Sequence, residues 1–492
     1  MNYRNVRYGI FFSALLFLLG THTLCAQEEP QQPQSQEPEQ LKNNPSDSTP
    51  KPAGQSLPYF DPGSLFGNPD NLQPDYTPLT GMLNAGLGFP EIKHSYWVPG
   101  IQFSSSIQSS QYNSSGNTSG WYVTNYVLGN LSLLEAWNRS QLVLNYSGGG
   151  AFSTSSSQGS SAYQQLAFAQ SFLLNRWIVQ IVDEFSQLPQ SAFGFGAGTN
   201  LGVPGVPGSL GPTIPGVGGG YVPNQTVFAG YGTRYSNTIV VQATYQLSRR
   251  SSITASGAYG ILHFVEPGNI DTNSVFGSLG YNYTLTKKDT IGLLYQFSGY
   301  HFIGNAQAYG SQTVSAAYGR KITGRMALSL YGGPQFTSTR VPVGTTSTTL
   351  NFYTYASLSD AFEKGTISGS YLHGLTNGSG VLTGSILDEV TFTAARKLNR
   401  LWSASANLGF AHNRTVINSA GTASNPTYND WFTAASVDRP IGRDFWFSLA
   451  YSPYFGKNNP GCSVPGCGTS SSYVTQAVTV NFQWHPRPFV LP

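Results

Sequence analysis

A regular alternation of apolar and polar residues, repeated over most of the chain, limits what this sequence can fold into. In residues 275–285 the apolar side chains share one parity and the small or polar side chains share the other. The apolar set is Val275, Leu279, Tyr281, Tyr283 and Leu285, and the polar set is Ser278, Gly280, Asn282 and Thr284. Residues 239–247, 445–452 and 474–484 repeat the pattern. Because successive side chains of a strand point to opposite faces, each segment predicts a β-strand with one apolar face.

The composition indicates that lipid rather than water meets the apolar faces. Charged residues make up 10% of the 492 residues and aromatic residues 13%, whereas a soluble domain carries about 25% charged residues. After the first 26 residues, no uninterrupted apolar stretch approaches the roughly 18 to 20 residues that a spanning helix needs. The remaining way to cross a bilayer is a closed β-barrel, which needs apolar residues only at alternate positions.

Short, positively charged connections alternate along the chain with longer, weakly charged ones. Each short connection contains at least one Lys or Arg, and they lie at 137–140, 175–176, 248–251, 287–289, 320–325, 363–365, 396–400 and 438–444. Connections between them, such as 113–120, 153–161 and 341–347, are rich in Ser, Gly, Thr and Asn. Short turns on one rim and longer loops on the other are typical of outer-membrane barrels, whose short rim faces the periplasm.

These turns predict an all-β fold, a transmembrane up-and-down antiparallel β-barrel. Eight inner turns with both termini on the inner side require about 18 strands, and about 16 is the alternative because the first hairpin is irregular. We expect the barrel over 99–486, preceded by a signal peptide at 1–26, a disordered Pro/Gln-rich periplasmic tail at 27–75 and a transition segment at 76–98. Residues 487–492 form a C-terminal tail.

The N-terminal residues have the features of an export signal. Arg4 and Arg7 precede the apolar core 10–20, and Ala26 supplies a small residue before a cut. In the oxidising compartment beyond the inner membrane, Cys462 and Cys467 predict a loop disulfide, since the neighbourhood supplies too few ligands for a metal.

One interval between inner turns is much longer than the others, and its excess lies in the Gly-rich segment 188–233. One hypothesis is a long mobile outer loop. The other follows from its position as the third outer loop, from which general porins fold a loop inward to narrow the channel.

Residues that could act chemically are few. The sequence contains no Gly-x-Ser-x-Gly elbow, no His-Glu-x-x-His and no phosphate loop, so we expect neither an enzyme nor a cofactor or metal. His263, His301 and His373 lie near outer strand ends, where interface histidines are the usual explanation.

Side-chain parity predicts which charged and aromatic residues face the lumen. Glu184 and Glu389 are expected to point inward, either giving the pore a cation preference or standing as solvated residues without selective effect. Their neighbours Asp183 and Asp388 then point outward. The lumen aromatics Tyr353 and Tyr355 either stack on sugar rings or pack against the wall.

The strand pattern, the charged turns and the aromatic final strand resemble the putative porin and outer-membrane β-barrel families of Gram-negative bacteria. The resemblance covers about residues 95–486 and depends on architecture, without a diagnostic motif. It implies a location in outer-membrane lipid with the N-terminal tail in the periplasm. It also implies insertion by the barrel-assembly machinery, for which Phe482 and Trp484 provide the terminal signal. Residues 485–492 continue past this signal, which departs from the usual pattern.

The expected function is passive diffusion of small polar solutes through a pore, which segment 188–233 would narrow. The alternative is the barrel component of an exopolysaccharide-export or secretion system, opened by a periplasmic partner. Whether copies associate into a homo-oligomer stays open. A net charge of +3 without a basic cluster argues against a nucleic-acid partner.

Overall fold

The computed structural model describes most of the predicted barrel. Its described ranges are 79–80, 95–110, 120–154, 159–190, 231–304, 308–340, 346–416, 426–459 and 471–491. The chain divides into two units, Met1–Gly54 and Gln55–Pro492, and all described residues belong to the second. The expected signal peptide, nearly all of the loop 188–233, and the Cys462–Cys467 disulfide lie outside the described residues.

The described ranges form 18 long strands and one two-residue strand. The long strands are β1 Tyr96–Ser110, β2 Gly120–Ala136, β3 Ser140–Ser153, β4 Ser160–Leu174, β5 Trp177–Gln190, β6 Tyr231–Gln246, β7 Ser251–Phe264, β8 Thr272–Thr284, β9 Asp289–Phe302, β10 Ala308–Lys321, β11 Met326–Arg340, β12 Thr346–Phe362, β13 Gly365–Thr376, β14 Ser385–Lys397, β15 Ser403–Thr415, β16 Thr427–Ile441, β17 Phe445–Asn459 and β18 Ser471–Trp484. The short strand, β19, is Phe489–Val490. Among the described residues, no helix is long and apolar enough to cross a bilayer.

Each long strand pairs antiparallel with the next one along the chain, and the last pairs with the first. The closing register runs from Ile101 opposite Trp484 to Gln108 opposite Ala477. The fold is therefore a closed up-and-down β-barrel, and the prediction of 18 strands, rather than 16, is confirmed.

The barrel wall is longer than the expected range 99–486. β1 begins at Tyr96, inside the expected transition segment, and β19 lies inside the expected C-terminal tail. β19 pairs with the first residues of β1, and the Trp97 and Phe489 rings stack at a centroid distance of 4.7 Å. β18 ends at Trp484, two residues before Pro486, which has no backbone N–H to donate to a neighbouring strand. The start of β1 is therefore paired by β19, which follows this proline.

The two faces of the wall differ as the alternation predicts. On β1, Ile101 and Phe103 are 57% and 45% exposed outside, while Gln102 and Ser104 are buried inside. The outward parity of the other strands carries residues such as Leu279, Leu293 and Phe352, all more than half exposed. Large apolar side chains on the outside of a closed sheet form the lipid-facing band of a transmembrane barrel.

The short connections lie where the sequence predicts them, all on one rim. β4 and β5, for example, are joined by a turn at residues 175–176. Ion pairs join neighbouring strands at this rim, Arg320 to Asp289 at 3.7 Å and Arg325 to Asp360 at 3.4 Å. The opposite rim carries the longer loops, and we call these the inner and outer rims.

A charge placed on the outward face is expected to destabilise the barrel. Leu293, the fifth residue of the 14-residue strand β9, is 59% exposed. Leu293→Arg should lower the free energy of unfolding by up to about 2–4 kcal/mol, because that is the cost of Arg at the bilayer midplane and the cost falls toward the interfaces. Denaturant titration in lipid vesicles, followed by tryptophan fluorescence, measures this change in the free energy of unfolding.

The matched control is Ser298→Arg, which places the same charge on the inward face of the same strand. It should cost much less, because the inward face meets no lipid. Equal losses for the two variants would contradict the assignment of the faces.

Candidate functional site

The inward face combines clusters of aromatic and small apolar residues with many hydroxyl, amide and glycine residues, and its hydroxyl groups bond to one another across strands. Ser186 and Ser236 are 2.6 Å apart between their hydroxyl oxygens, and further pairs on the same face include Ser256–Ser278 at 2.5 Å, Ser370–Thr391 at 2.6 Å and Ser405–Ser436 at 2.7 Å. Such cross-strand pairs hold the wall together without charge. The inward face can thus meet water and uncharged polar solutes.

Glu184 and Glu389 both lie on the inward face. Glu184 shares its parity with Gln180 and Val182, which are buried inside, and Glu389 is itself 6% exposed. Their influence on ion selectivity stays a prediction. Among the inward charged residues that the sequence analysis missed are Arg234 at 3% exposure and Asp430 at 0%. Alternation continued backward from Ser436 would have identified Asp430.

One row of the sheet brings two carboxylates to the same height of the lumen wall. Glu389 on β14 lies opposite Ala411 on β15, and Ala411 lies opposite Asp430 on β16. Since neighbouring strands are about 4.8 Å apart, the two carboxylate positions are separated by about 10 Å. We call Glu389, Ala411 and Asp430 the carboxylate row.

Asp430 is held by two tyrosines from the next strands. The Tyr454 hydroxyl donates a short hydrogen bond to Asp430 Oδ1, and the Tyr473 hydroxyl donates to the same atom at 3.1 Å. The two rings lie 5.5 Å apart. Asp430 Oδ2 is buried and accepts no hydrogen bond from any described residue. A buried carboxylate oxygen without a donor is costly, so a cation beside it would be stabilised.

Tyr353 and Tyr355 both belong to the inward parity of β12. Tyr355 contacts Tyr331 edge to face with ring centroids 5.6 Å apart. Tyr353 packs over Gly374, where an added Cβ would lie 2.9 Å from the ring. The contacts that the structure describes are those of wall packing, and stacking on sugars stays a hypothesis.

Several acidic residues on the outward face have polar partners, at the middle of β5 for Asp183 and toward the outer rim for Asp388 and Asp271. Asn237 Nδ2 donates to Asp183 Oδ1 at 2.9 Å. Asp388 Oδ1 lies 2.7 Å from His373 Nδ1 and accepts from the Tyr371 hydroxyl at 2.9 Å. His263 contacts Asp271 at 2.5 Å in the same way. These pairings explain how carboxylates are tolerated outside the barrel, and none contributes to the lumen.

The outer loop 377–384, between β13 and β14, crosses part of the outer mouth. The N–H of Ile270, in the connection from β7 to β8, donates to the carbonyl oxygen of Gly380 at 2.7 Å. The hydroxyl of Tyr309, on β10, donates to the carbonyl oxygen of Thr383. Strands β8 to β12 separate β13 from β7 in the sheet, so the loop spans a chord of the barrel.

Glycine makes this loop path possible. Gly378, Gly380 and Gly384 have φ angles of 77°, 78° and 78°, which side chains rarely adopt. A Cβ on Gly380 would lie 2.3 Å from the Phe264 ring, and one on Gly384 would lie 2.8 Å from the Tyr309 ring. The sequence analysis considered an inward fold, as one of two hypotheses, only for 188–233 and overlooked this glycine-spaced stretch. Residues 191–230 lie outside the described ranges.

Phe482 and Trp484 face outward at the closing seam and are 46% and 36% exposed. Recognition of these residues by the barrel-assembly machinery stays a prediction. In the ranges that the structure describes, no group of three or more His, Cys, Asp or Glu side chains is placed to hold a metal ion.

The chain is similar to several solved structures at low sequence identity. The outer membrane protein opdK from Pseudomonas aeruginosa is 9% identical with a TM-score of 0.39, and the match covers 79% of this chain and 99% of that one. OccAB3 of Acinetobacter baumannii is 9% identical with a TM-score of 0.41, covering 79% and 99%. The ferric citrate transporter FecA is 9% identical with a TM-score of 0.38, covering 81% and 79%.

At this identity and TM-score, the three structures supply no functional argument for this chain. The sequence matches no protein-family model and no curated protein.

Proposed function

We propose that the protein is a passive pore of a Gram-negative outer membrane, through which small polar solutes diffuse. The observation that carries the proposal is the closed barrel with apolar side chains outside and hydroxyl, amide and glycine residues inside. Barrels of about 16 to 18 strands are too wide for wall side chains to fill and leave an aqueous channel.

The few charges of the lumen favour cations. Between the two rims, the inward positions of the described strands carry the carboxylates of Glu184, Glu389, Asp430 and Asp438 against one guanidinium, that of Arg234. Carboxylates on a pore wall attract cations and repel anions. The unpaired Asp430 Oδ2 adds to this preference. We therefore expect a pore with mild cation selectivity.

The outer mouth is proposed to be narrower than the wall alone would make it. The loop 377–384 lies across the lumen side of β7 to β10 and contacts Phe264 and Tyr309 there. Such a loop would limit solutes by size rather than charge, because residues 377–384 include no charged side chain. A contribution of segment 188–233 to the constriction stays a prediction.

Removing the Glu389 charge should weaken the cation preference. In planar bilayers, Glu389→Gln is expected to lower the cation-to-anion permeability ratio by up to about fivefold, since unit charges about 4 Å apart interact by about 1 kcal/mol in water. The reversal potential under a salt gradient measures the ratio.

Asp388→Asn is the control, because it removes the adjacent carboxylate from the outward face. It should leave the permeability ratio unchanged. An unchanged ratio for Glu389→Gln would contradict the proposed role of the carboxylate row, and a folded protein without conductance steps would contradict the pore itself.

Shortening the outer loop should widen the pore. Replacing residues 378–383 with a Gly-Ser pair removes the contacts to Ile270 and Tyr309, so single-channel conductance should rise. Deleting residues 191–230 in a second variant tests the third outer loop. If only the second deletion raises conductance, the constriction belongs to that loop and the role proposed for 377–384 is wrong.

A further inference from the structure

The dipeptide Leu79–Thr80, which precedes the first strand, lies inside the barrel against the lumen wall. The N–H of Thr80 donates to Asn282 Oδ1 at 2.9 Å, and Asn282 Nδ2 donates back to Thr80 Oγ1 at 2.7 Å. The Tyr331 hydroxyl donates to the carbonyl oxygen of Leu79 at 2.7 Å. Leu79 is 8% exposed and Thr80 is 1% exposed. The dipeptide is therefore bonded to two separate strands, β8 and β11, and buried.

Three glycines on adjacent strands make room for the dipeptide. A Cβ on Gly280 of β8 would lie 2.2 Å from Thr80 Cβ, and one on Gly319 of β10 would lie 2.6 Å from Leu79 Cδ2. A Cβ on Gly292 of β9 would lie 3.0 Å from Thr80 Cγ2. Glycine weakens a strand interior and often marks a close approach by another backbone. We call Gly280, Asn282, Gly292, Gly319 and Tyr331 the socket.

The socket lies near the inner rim. Asn282 precedes the end of β8 at Thr284 by two residues, and Tyr331 is the sixth of the 15 residues of β11, counted from the inner rim. Anything bound there occupies part of the inner mouth of the lumen. The expected transition segment 76–98 thus includes a dipeptide that enters the barrel.

We propose that Leu79–Thr80 is an internal ligand of the socket, and that it narrows the pore at its inner mouth until it is released. The inference rests on the proposed pore function. Among the described residues, docking involves three hydrogen bonds and the buried Leu79 side chain, and each bond has a small net free energy because water replaces it on release. The docked and released states therefore interconvert, and the released state conducts more.

Disulfide trapping tests docking independently of conductance. In a background with Cys25, Cys462 and Cys467 replaced by Ser, Thr80→Cys is combined with Gly292→Cys. The 3.0 Å between the Gly292 Cβ position and Thr80 Cγ2 is compatible with disulfide formation, in which Cβ atoms are about 3.8 Å apart. We expect a disulfide under mild oxidation, detected by peptide mass spectrometry.

The control combines Thr80→Cys with Ser298→Cys, which lies on the same lumen face of β9 but farther from the inner rim. This pair should stay reduced. A disulfide in the control alone, or in neither protein, would overturn docking at the socket.

Conductance then tests the obstruction. Oxidation of the Thr80→Cys/Gly292→Cys protein should lower single-channel conductance, and a reductant should restore it. Gly280→Ala should act in the opposite direction, because the three heavy atoms nearest to its new Cβ all belong to Thr80. We expect the ratio of released to docked segment to rise by roughly tenfold, the effect of losing one or two net hydrogen bonds.

Gly277→Ala is the matched control on the same strand, since its Cβ would meet nothing within 4 Å. It should leave conductance unchanged. Disulfide formation without any conductance change on oxidation or in Gly280→Ala would overturn the obstruction. An absence of conductance in every variant, Gly280→Ala included, would instead contradict the pore function, while the trapping result would still decide docking.

Discussion

Closure of the sheet by backbone hydrogen bonds between β1 and β18 is the constraint on which the rest of the structure depends. In hydrocarbon, an unpaired peptide N–H or C=O costs several kcal/mol, so a sheet with two open edges could not remain in the bilayer. Residues 101–108 of β1 pair with residues 477–484 of β18, more than 350 positions away in the sequence. Inward side chains reinforce this seam, with Gln102 donating to Asn481 at 2.9 Å and Thr479 donating to Ser106 at 2.9 Å.

Closure also divides the side chains into an outward and an inward environment and so creates the lumen.

Two different segments of the chain pack against the lumen side of the wall from β7 to β11. Its outer half is aromatic, with Phe276 against Tyr300 and Phe302 against Tyr309 in edge contacts of 5.6 and 5.5 Å, and the loop 377–384 docks beside them. Its inner half is rich in glycine, and the Leu79–Thr80 dipeptide docks there. The bare backbone at these glycines leaves room for the close approach of another backbone.

Much of the fold and part of the candidate site could be predicted because the information is local. Alternate side chains must face opposite sides of a strand, so the parity of Glu184, Glu389, Tyr353 and Tyr355 follows from their neighbours. The short turns carry their own charges. Contacts between side chains on different strands, in contrast, depend on residues that are far apart in the sequence. Tyr353 packs on Gly374, and Asp430 is held by Tyr454 and Tyr473, which are distant in sequence.

The sequence by itself determined the alternation, the positions of the inner turns and hence the number of strands and the face of each residue. Only the tertiary structure decided which segments enter the lumen, because that choice depends on register between strands far apart in the chain. Gly280, Gly292 and Gly319 form one socket only when β8, β9 and β10 are aligned. Glu389 and Asp430 share a height of the wall for the same reason.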